Sequence, residues 1–205
     1  MTRIVADISI SLDGFVTGPD AGPENGMGTG GEALHRWAFS DDPDELRQQR
    51  EGIARSGAVV LGRRLFDVVD GPDGWNDELG YGARAVATPP FIVVTSSPPE
   101  SLRLAHLDWT FVTTGLVDAV SAARQRAEAA SAASGEDLDV VIMGGGATVG
   151  SAFAAGLLDV LSLHLAPVVL GAGTPLFTGG EQRTLVQRSV TATPNATHLT
   201  YDIVR

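Results

Sequence analysis

Short apolar runs that stop at glycine, serine or proline recur along the chain, and each predicts a β-strand. A clear example is the run AVVL between Gly57 and Gly62. The pattern predicts strands at residues 4–10, 58–61, 91–95, 110–113, 140–143, 161–170 and 198–204. Helix-start signals and an alanine-rich segment predict helices at residues 41–55, 63–69, 116–133 and 148–155.

The order of these elements indicates the fold class. Strands that alternate with helices favour an α/β protein with a mostly parallel central sheet, and the last strands favour antiparallel additions. Residues 17–31 contain six glycines and two prolines, so this segment is a long loop, of the kind that often forms a lid. No internal repeat or linker divides the sequence. We therefore expect a single domain over residues 1–205.

Composition and charge exclude several classes of protein. The chain has 205 residues and a formal net charge of −11, and an acidic surface makes nucleic acid an unexpected partner. It has no cysteine, which rules out disulfides and thiolate metal sites. The first residues form a strand pattern and not a signal peptide, and no run of about 18 apolar residues predicts a membrane span. A cytoplasmic protein is expected.

Three of the predicted strands end in residues that suit an anionic ligand. The first is followed by Gly62, Arg63 and Arg64, the second by Thr95, Ser96 and Ser97, and the third by the segment from Gly144 to Val149. Arginine offers a planar fork for phosphate, and a glycine run before a helix presents backbone amides to it. Ligands of open α/β sheets bind beyond the carboxyl ends of the strands, so these segments predict a dinucleotide site. The sequence contains neither the G-x-G-x-x-G pattern after the first strand nor a P-loop.

The sequence resembles the dihydrofolate reductase superfamily, and more closely the group related to the C-terminal reductase domain of the bacterial riboflavin biosynthesis protein RibD. The resemblance lies in the segments SISLDGFVTGP, VVLGRRLFDV, FIVVTSSP and VVIMGGGATVGSAFAAGLLDVLSLHLAPVVLGAGTPLF, which occur in family order. It implies a dihydrofolate-reductase-like three-layer fold, NADPH as the hydride donor and a homodimer.

The resemblance also assigns cofactor contacts to individual residues. Arg63 and Arg64, after Gly62, match the segment that grips the adenosine 2′-phosphate and the pyrophosphate, and the hydroxyl segment matches the one beside the adenosine ribose. The glycine segment matches the pyrophosphate turn, while Ser11 and Val16 flank the place of the nicotinamide. Together the implied cofactor residues are Ser11, Val16, Gly62, Arg63, Arg64, Thr95, Ser96, Ser97, Gly144, Gly145, Gly146, Ala147, Thr148 and Val149.

The proton donor is harder to assign. Asp44 and Glu45 lie near the place where folate reductases have their acidic residue, but acids at a helix start also serve the helix dipole. Asp13 is another candidate, with turn formation before Gly14 as the alternative. Riboflavin-pathway reductases generally have a lysine where this sequence has Asp7, which argues against a phosphorylated ribosyl substrate.

Aromatic and histidine side chains add little that is specific. Trp37 could stack on a flat heterocycle in the substrate pocket or anchor a loop. His164 lies in an apolar strand and is expected in the core or at an interface, and no spacing of ligands predicts a metal site.

The sequence therefore predicts an NADPH-dependent oxidoreductase that reduces a small, heterocyclic substrate. The alternatives are a riboflavin-pathway pyrimidine reductase, a dihydrofolate reductase and a protein that binds NADP(H) without catalysis.

Overall fold

The computed structural model describes residues 1–76, 78–83 and 88–204. Its strands are Ile4–Ile10 (β1), Phe15–Thr17 (β2), Ser56–Gly62 (β3), Phe91–Val94 (β4), Trp109–Val112 (β5), Asp139–Gly144 (β6), Val160–Leu165 (β7), Thr174–Pro175 (β8), Leu185–Ala192 (β9) and Thr197–Ile203 (β10). Its helices are Pro43–Ala54 (α1), Arg63–Val69 (α2), Leu116–Ser134 (α3) and Gly146–Ala154 (α4), and Gly31–Phe39 forms a 3-10 helix (η1).

Eight strands form one sheet in the order β5-β4-β3-β6-β1-β7-β10-β9. The six strands from β5 to β7 run parallel, and β10 pairs antiparallel with both of its neighbours. The short strands β2 and β8 form a separate antiparallel pair. The predicted fold class, a mostly parallel sheet with antiparallel C-terminal strands, is confirmed.

Helices cover both faces of this sheet and give it three layers. Alternate residues of a strand point to opposite faces, so Ala58 and Val60 of β3 pack in the core cluster that includes α3 and α4, while Val59 and Leu61 pack on the other side with α2. The buried face of α3 consists of Val120 and three alanines, and the small alanines allow the helix to lie close to the sheet. They are Ala119, Ala123 and Ala127, all with no exposed surface.

Several elements differ from the sequence predictions. The strand predicted at 161–170 ends at Leu165, because Pro167 has no amide hydrogen to continue the ladder. Strand β9 was not predicted. It is an exposed edge strand, so no face of it is buried and its sequence needs no alternation of apolar and polar residues. The apolar residues Leu46 and Ile53 are expected on the inner face of α1, but they are only half-buried, and the buried side chain of this helix is Glu45. Within the described residues, no helix is long and apolar enough to span a membrane.

Candidate active site

The three predicted anion-binding segments meet at one edge of the sheet. Strands β4, β3 and β6 are consecutive neighbours and run parallel, so their carboxyl ends lie side by side. Gly62 at the end of β3 is in register with Val94 of β4, and Leu61 is in register with Gly144 of β6. Predicted site residues that are far apart in the sequence, between positions 62 and 149, are thus adjacent in the fold.

The two arginines after β3 have different environments. Arg63 is partly exposed but held in place by hydrogen bonds: its Nε donates to Asp67 Oδ1 at 2.6 Å, and its Nη1 donates to the Ser97 carbonyl oxygen at 2.8 Å and to Thr95 Oγ1 at 3.2 Å. Arg64 is exposed, and no hydrogen bond or ion pair joins it to any other residue that the structure describes. Arg63 therefore shapes the neighbouring loop, while Arg64 has a free guanidinium.

The loop after β4 is built around the Thr95 hydroxyl. Thr95 is buried, and its Oγ1 donates to the Ser97 carbonyl oxygen at 2.7 Å and accepts from the Ser97 amide at 3.3 Å. The side chains of Ser96 and Ser97 are exposed. The turn thus presents two free hydroxyls beside the arginines.

The loop after β6 leads directly into α4, and its peptide bond between Gly144 and Gly145 is cis. The amides of Gly146 and Ala147 have no acceptor among the described residues, since the first helical bonds come from Thr148 and Val149 to the Gly145 carbonyl. Gly145 has open space where a side chain would stand. This helix start can therefore receive an anion.

Close packing fixes the position of these glycines. A Cβ on Gly62 would lie 2.2 Å from Thr148 Oγ1, and a Cβ on Gly146 would lie 2.5 Å from Val16 Cγ2. Since real Cβ atoms do not approach other atoms so closely, a side chain at either glycine would require Thr148 or Val16 to shift. Val16 thus packs against the glycine segment.

The loop predicted at residues 17–31 is closed by its own backbone. The Gly18 amide donates to the Met27 carbonyl at 2.9 Å, and the Thr29 amide donates to the Pro19 carbonyl at 2.9 Å. At its base, Ser11 is buried, and its Oγ accepts from the Phe15 amide at 2.9 Å. The loop stands at the same sheet edge as the glycine segment, because it leaves β2.

A second set of side chains lies on the sheet face below η1 and α1, and of its members only Glu45 was among the predicted site residues. We call it the buried polar row, and it consists of Asp7, His164, His198, Thr193 and Glu45. His164 is the centre: its Nε2 lies 2.5 Å from Asp7 Oδ1 and its Nδ1 lies 2.6 Å from His198 Nδ1. His198 Nε2 lies 3.1 Å from Thr193 Oγ1, which donates to Glu45 Oε1 at 2.9 Å.

Pairing across the sheet creates this row. His164 of β7 is in register with Ser9 of β1 and with His198 of β10, so the three side chains lie side by side on one face. The sequence signal was the alternation of polar residues in these strands, at positions 7 and 9, 162 and 164, and 198 and 200. It was missed because each strand alone resembles an ordinary core strand with an occasional polar residue.

Trp37 covers the row and does not face an open pocket. Its ring centroid lies 4.0 Å from that of His164, and its indole nitrogen donates to Ser9 Oγ at 3.0 Å. Trp37 is nearly buried, at 9% exposed. These contacts favour the anchoring role for Trp37 over stacking on a substrate.

Comparison with known proteins decides the family. The family model described as the RibD C-terminal domain matches residues 2–199. The chain belongs to the RibD C-terminal domain family. This is a family of reductases, and the prediction that the chain is an oxidoreductase is confirmed at that level. No protein in the curated set matches its sequence.

Solved structures agree with this fold. A protein assigned to riboflavin biosynthesis from Shewanella sp. PV-4 matches with a TM-score of 0.69 and 20% identity, over 100% of both chains. A pyrimidine reductase-like protein from Corynebacterium diphtheriae matches with a TM-score of 0.61 and 16% identity, over 100% of this chain and 92% of the other. Dihydrofolate reductase from Enterococcus faecalis, complexed with NADP(H), matches with a TM-score of 0.52 and 16% identity, over 99% and 97%.

The predicted catalytic acids of this RibD-family chain occupy three different environments. Asp13 is exposed, and its carboxylate accepts the amides of Leu170 at 3.1 Å and Gly171 at 2.6 Å. The Ser11 hydroxyl and these amides lower the pKa of Asp13 to about 2, so it is ionised at neutral pH. The geometry therefore favours a structural role for Asp13 over that of a proton donor. We call this role the clamp, since Asp13 joins the turn after β1 to the loop after β7.

Asp44 and Glu45 are adjacent but unlike. Asp44 is exposed and pairs with Arg47 at 2.7 Å, which favours a helix-surface role. Glu45 has no exposed surface and, besides Thr193, accepts the backbone amide of Asn195 at 2.8 Å and its side-chain amide at 2.9 Å. Burial alone would raise the pKa of Glu45, but hydrogen bonds from Ser40, Asn195 and Thr193 outweigh it and lower the pKa.

Two histidines are neutral at neutral pH: His198, which belongs to the row, and His35, which lies in η1. Burial, reinforced by the charge that His164 can acquire, lowers the pKa of His198 and of His35 to about 4. Within the described part of the chain, no three histidine, aspartate or glutamate side chains are arranged to hold a metal ion.

Proposed function

We propose that this chain is an NADPH-dependent reductase of a small heterocyclic substrate. The observation that supports it most is the meeting of a free guanidinium, exposed hydroxyls and unpaired helix amides at the carboxyl ends of β3, β4 and β6. Membership of the RibD C-terminal domain family supports a nicotinamide cofactor as the ligand of this edge.

The choice of NADPH over NADH depends on the two arginines. A 2′-phosphate is best bound by a planar cation that can donate two hydrogen bonds. Arg64 is free to do this with its whole guanidinium, whereas Nε and Nη1 of Arg63 are already bonded to Asp67, Thr95 and Ser97. We assign Arg64 to the 2′-phosphate and Arg63 to the shape of the hydroxyl loop.

The pyrophosphate fits the start of α4. The unpaired amides of Gly146 and Ala147 point along the positive end of the helix dipole, and Gly145 leaves room for the ligand. Val16 packs on Gly146 and forms the wall toward the nicotinamide end.

A bound nicotinamide supplies the hydride for a C=N or C=O bond. The protein orients it through the three strand ends, and the loop of residues 17–31 lies at the same edge of the sheet. Asp7, whose side chain is 22% exposed, adds a carboxylate to the neighbouring sheet face. A carboxylate repels phosphate, so it favours a substrate without a phosphoribosyl group over the riboflavin-pathway substrate.

Titration of the purified protein with NADPH and NADH, followed by nicotinamide fluorescence, tests the proposal. We expect NADPH to bind at least about tenfold more tightly than NADH, and Arg64→Gln to remove most of that preference. Arg124→Gln, which changes an exposed arginine of α3, is the matched control and should leave both affinities unchanged. Absence of binding by either cofactor would overturn the reductase assignment.

Turnover separates the enzyme from a binding protein. Oxidation of NADPH in a screen of pterins and pyrimidines supports the reductase, whereas tight binding with no oxidation across the screen favours the NADP(H)-binding alternative. The homodimer and the cytoplasmic location stay predictions, and light scattering of the purified chain tests the first of them.

A further inference from the structure

The hydrogen bonds of the buried polar row determine where its protons lie, starting from Glu45. Thr193 Oγ1 has two oxygen neighbours, Glu45 Oε1 at 2.9 Å and the Ala196 carbonyl at 3.0 Å. The ionised carboxylate and the carbonyl can only accept, so the single hydroxyl hydrogen points to one of them. The third neighbour, His198 Nε2 at 3.1 Å, must then donate its hydrogen to Thr193.

The same donor-to-acceptor direction continues through the two imidazole rings. A neutral His198 with its hydrogen on Nε2 has a bare Nδ1, which can only accept. Its partner is His164 Nδ1 at 2.6 Å, so His164 must have a hydrogen on Nδ1. A neutral His164 then has a bare Nε2, and that nitrogen faces Asp7 Oδ1 at 2.5 Å. A bare nitrogen and an ionised carboxylate would both be acceptors, so this contact requires one more proton.

We propose that Asp7 and His164 hold one transferable proton between them, placed there by Glu45 through Thr193 and His198, and that Asp7 donates it to the substrate. This inference rests on the proposed reductase function. Asp7 is the catalytic residue of the row, and the other four are positioning residues. Asp7 is also the outlet of the row, because its side chain is 22% exposed and that of His164 is 5% exposed.

The surroundings of the pair favour this location of the proton. Trp37 covers His164 from η1, and half-buried His35 of the same element has a buried Nδ1 with no hydrogen-bond partner among the described residues. Tyr81 lies near Asp7 from the turn beyond α2, and its hydroxyl bonds to Ser56 Oγ at 2.6 Å. These groups and His198 are uncharged at neutral pH, whereas Glu45 at the far end of the row is ionised.

The proton balances the reduction of a C=N bond. The carbon accepts a hydride, with its two electrons, from a reduced nicotinamide, and the nitrogen uses the released π pair to take the proton from Asp7. Asp7 and His164 are left with one proton fewer, as an ionised aspartate and a neutral imidazole. A proton from water then restores the starting state. The substrate class is therefore a heterocycle with a basic C=N nitrogen near the sheet face.

Nitrogen-15 NMR of the histidine side chains at neutral pH tests the position of the protons without any substrate. We expect a hydrogen on Nε2 of His198 and on Nδ1 of His164 in the wild-type protein. A neutral His164 with its hydrogen only on Nε2 would reverse this donor-to-acceptor direction and overturn the proposal. In Asp7→Asn, whose amide can donate to the bare Nε2, His164 should be neutral with its hydrogen on Nδ1.

Kinetics tests the role of Asp7 in transfer, with a dihydropterin, which has a reducible C=N bond, as the probe. We expect Asp7→Asn to lower kcat about 100-fold or more while the affinity for NADPH stays unchanged. Asp202→Asn, which removes an exposed carboxylate of β10 paired with Arg188, is the control and should keep wild-type kcat. Wild-type kcat in Asp7→Asn would exclude Asp7 as the donor. The NMR experiment decides the proton's position whether or not this probe is reduced, and cofactor titration tests the reductase function separately.

Discussion

Replacement of Glu45 by glutamine removes a charge from a fully buried side chain while keeping its shape. Glu45 accepts hydrogen bonds from Thr193 Oγ1, the Asn195 amide and Asn195 Nδ2. Glutamine has one oxygen and one NH₂ group, so with the Asn195 side chain oriented as it is in the structure, either orientation of the glutamine sets a donor against a donor. The resulting unsatisfied donor costs about 1–3 kcal/mol, and the remaining bonds lose the strength that a charged acceptor gives.

The net cost is smaller than the sum of these losses, because the variant no longer buries a charge. We expect Glu45→Gln to lower the free energy of unfolding by about 2 kcal/mol, which corresponds to about 5 °C in Tm for a chain of this size. Urea unfolding at neutral pH measures the change. Asp44→Asn in the same helical turn is the control, with an expected change of about 0.5 kcal/mol or less, since its ion pair with Arg47 is exposed.

The pH dependence gives an independent check. The pKa of Glu45 is lower in the folded protein than in the unfolded chain, so its contribution is complete above the unfolded value of about 4.3. It is lost as the pH falls through the folded pKa, and the stability difference between wild type and Glu45→Gln should shrink there. A difference that is below about 0.5 kcal/mol at pH 7, or that does not change in acid, would refute the role given to these hydrogen bonds.

Two further predictions concern the sheet edge. Gly146→Ala should destabilise the protein by about 1–3 kcal/mol, because its Cβ would lie 2.5 Å from Val16 Cγ2, and adding Val16→Ala should recover part of the loss in urea unfolding. An unchanged midpoint in Gly146→Ala would contradict the close packing. The amide resonance of Gly171 should titrate with a midpoint near pH 2 as the Asp13 carboxylate gains its proton, and Asp13→Asn should abolish that titration. A Gly171 resonance unaffected by pH would exclude the clamp.

Local sequence signals account for most of the fold and for the sheet edge. Helix α2 has the predicted bounds, and the strands that lead into Gly62, Thr95 and Gly144 are where the apolar runs place them. A buried parallel strand is hydrophobic throughout and ends abruptly at turn residues, so its position is visible in a single sequence. The cofactor-binding roles of these residues stay predictions.

The buried polar row could not be predicted in the same way, because long-range register creates it. Asp7 and His164 are separated by 157 positions, and Glu45 and Asn195 by 150. No local pattern shows that β10 pairs with β7 so that two histidines become neighbours. For the same reason Glu45 was grouped with Asp44 as a helix-start acid, although its contacts are with the turn between β9 and β10.

The two halves of the site differ in how they are distributed along the chain. The segments at the ends of β3, β4 and β6 lie between residues 62 and 149, whereas the buried polar row draws on positions from 7 to 198. During folding, the sheet edge that we propose to bind the dinucleotide can therefore assemble before the C-terminal hairpin docks, but the row is complete only afterwards. In evolution, changes in the four-residue turn at 193–196 can alter the hydrogen bonds of the row without touching the residues that we propose to hold the dinucleotide. The proposed cofactor site can in this way be combined with different substrates.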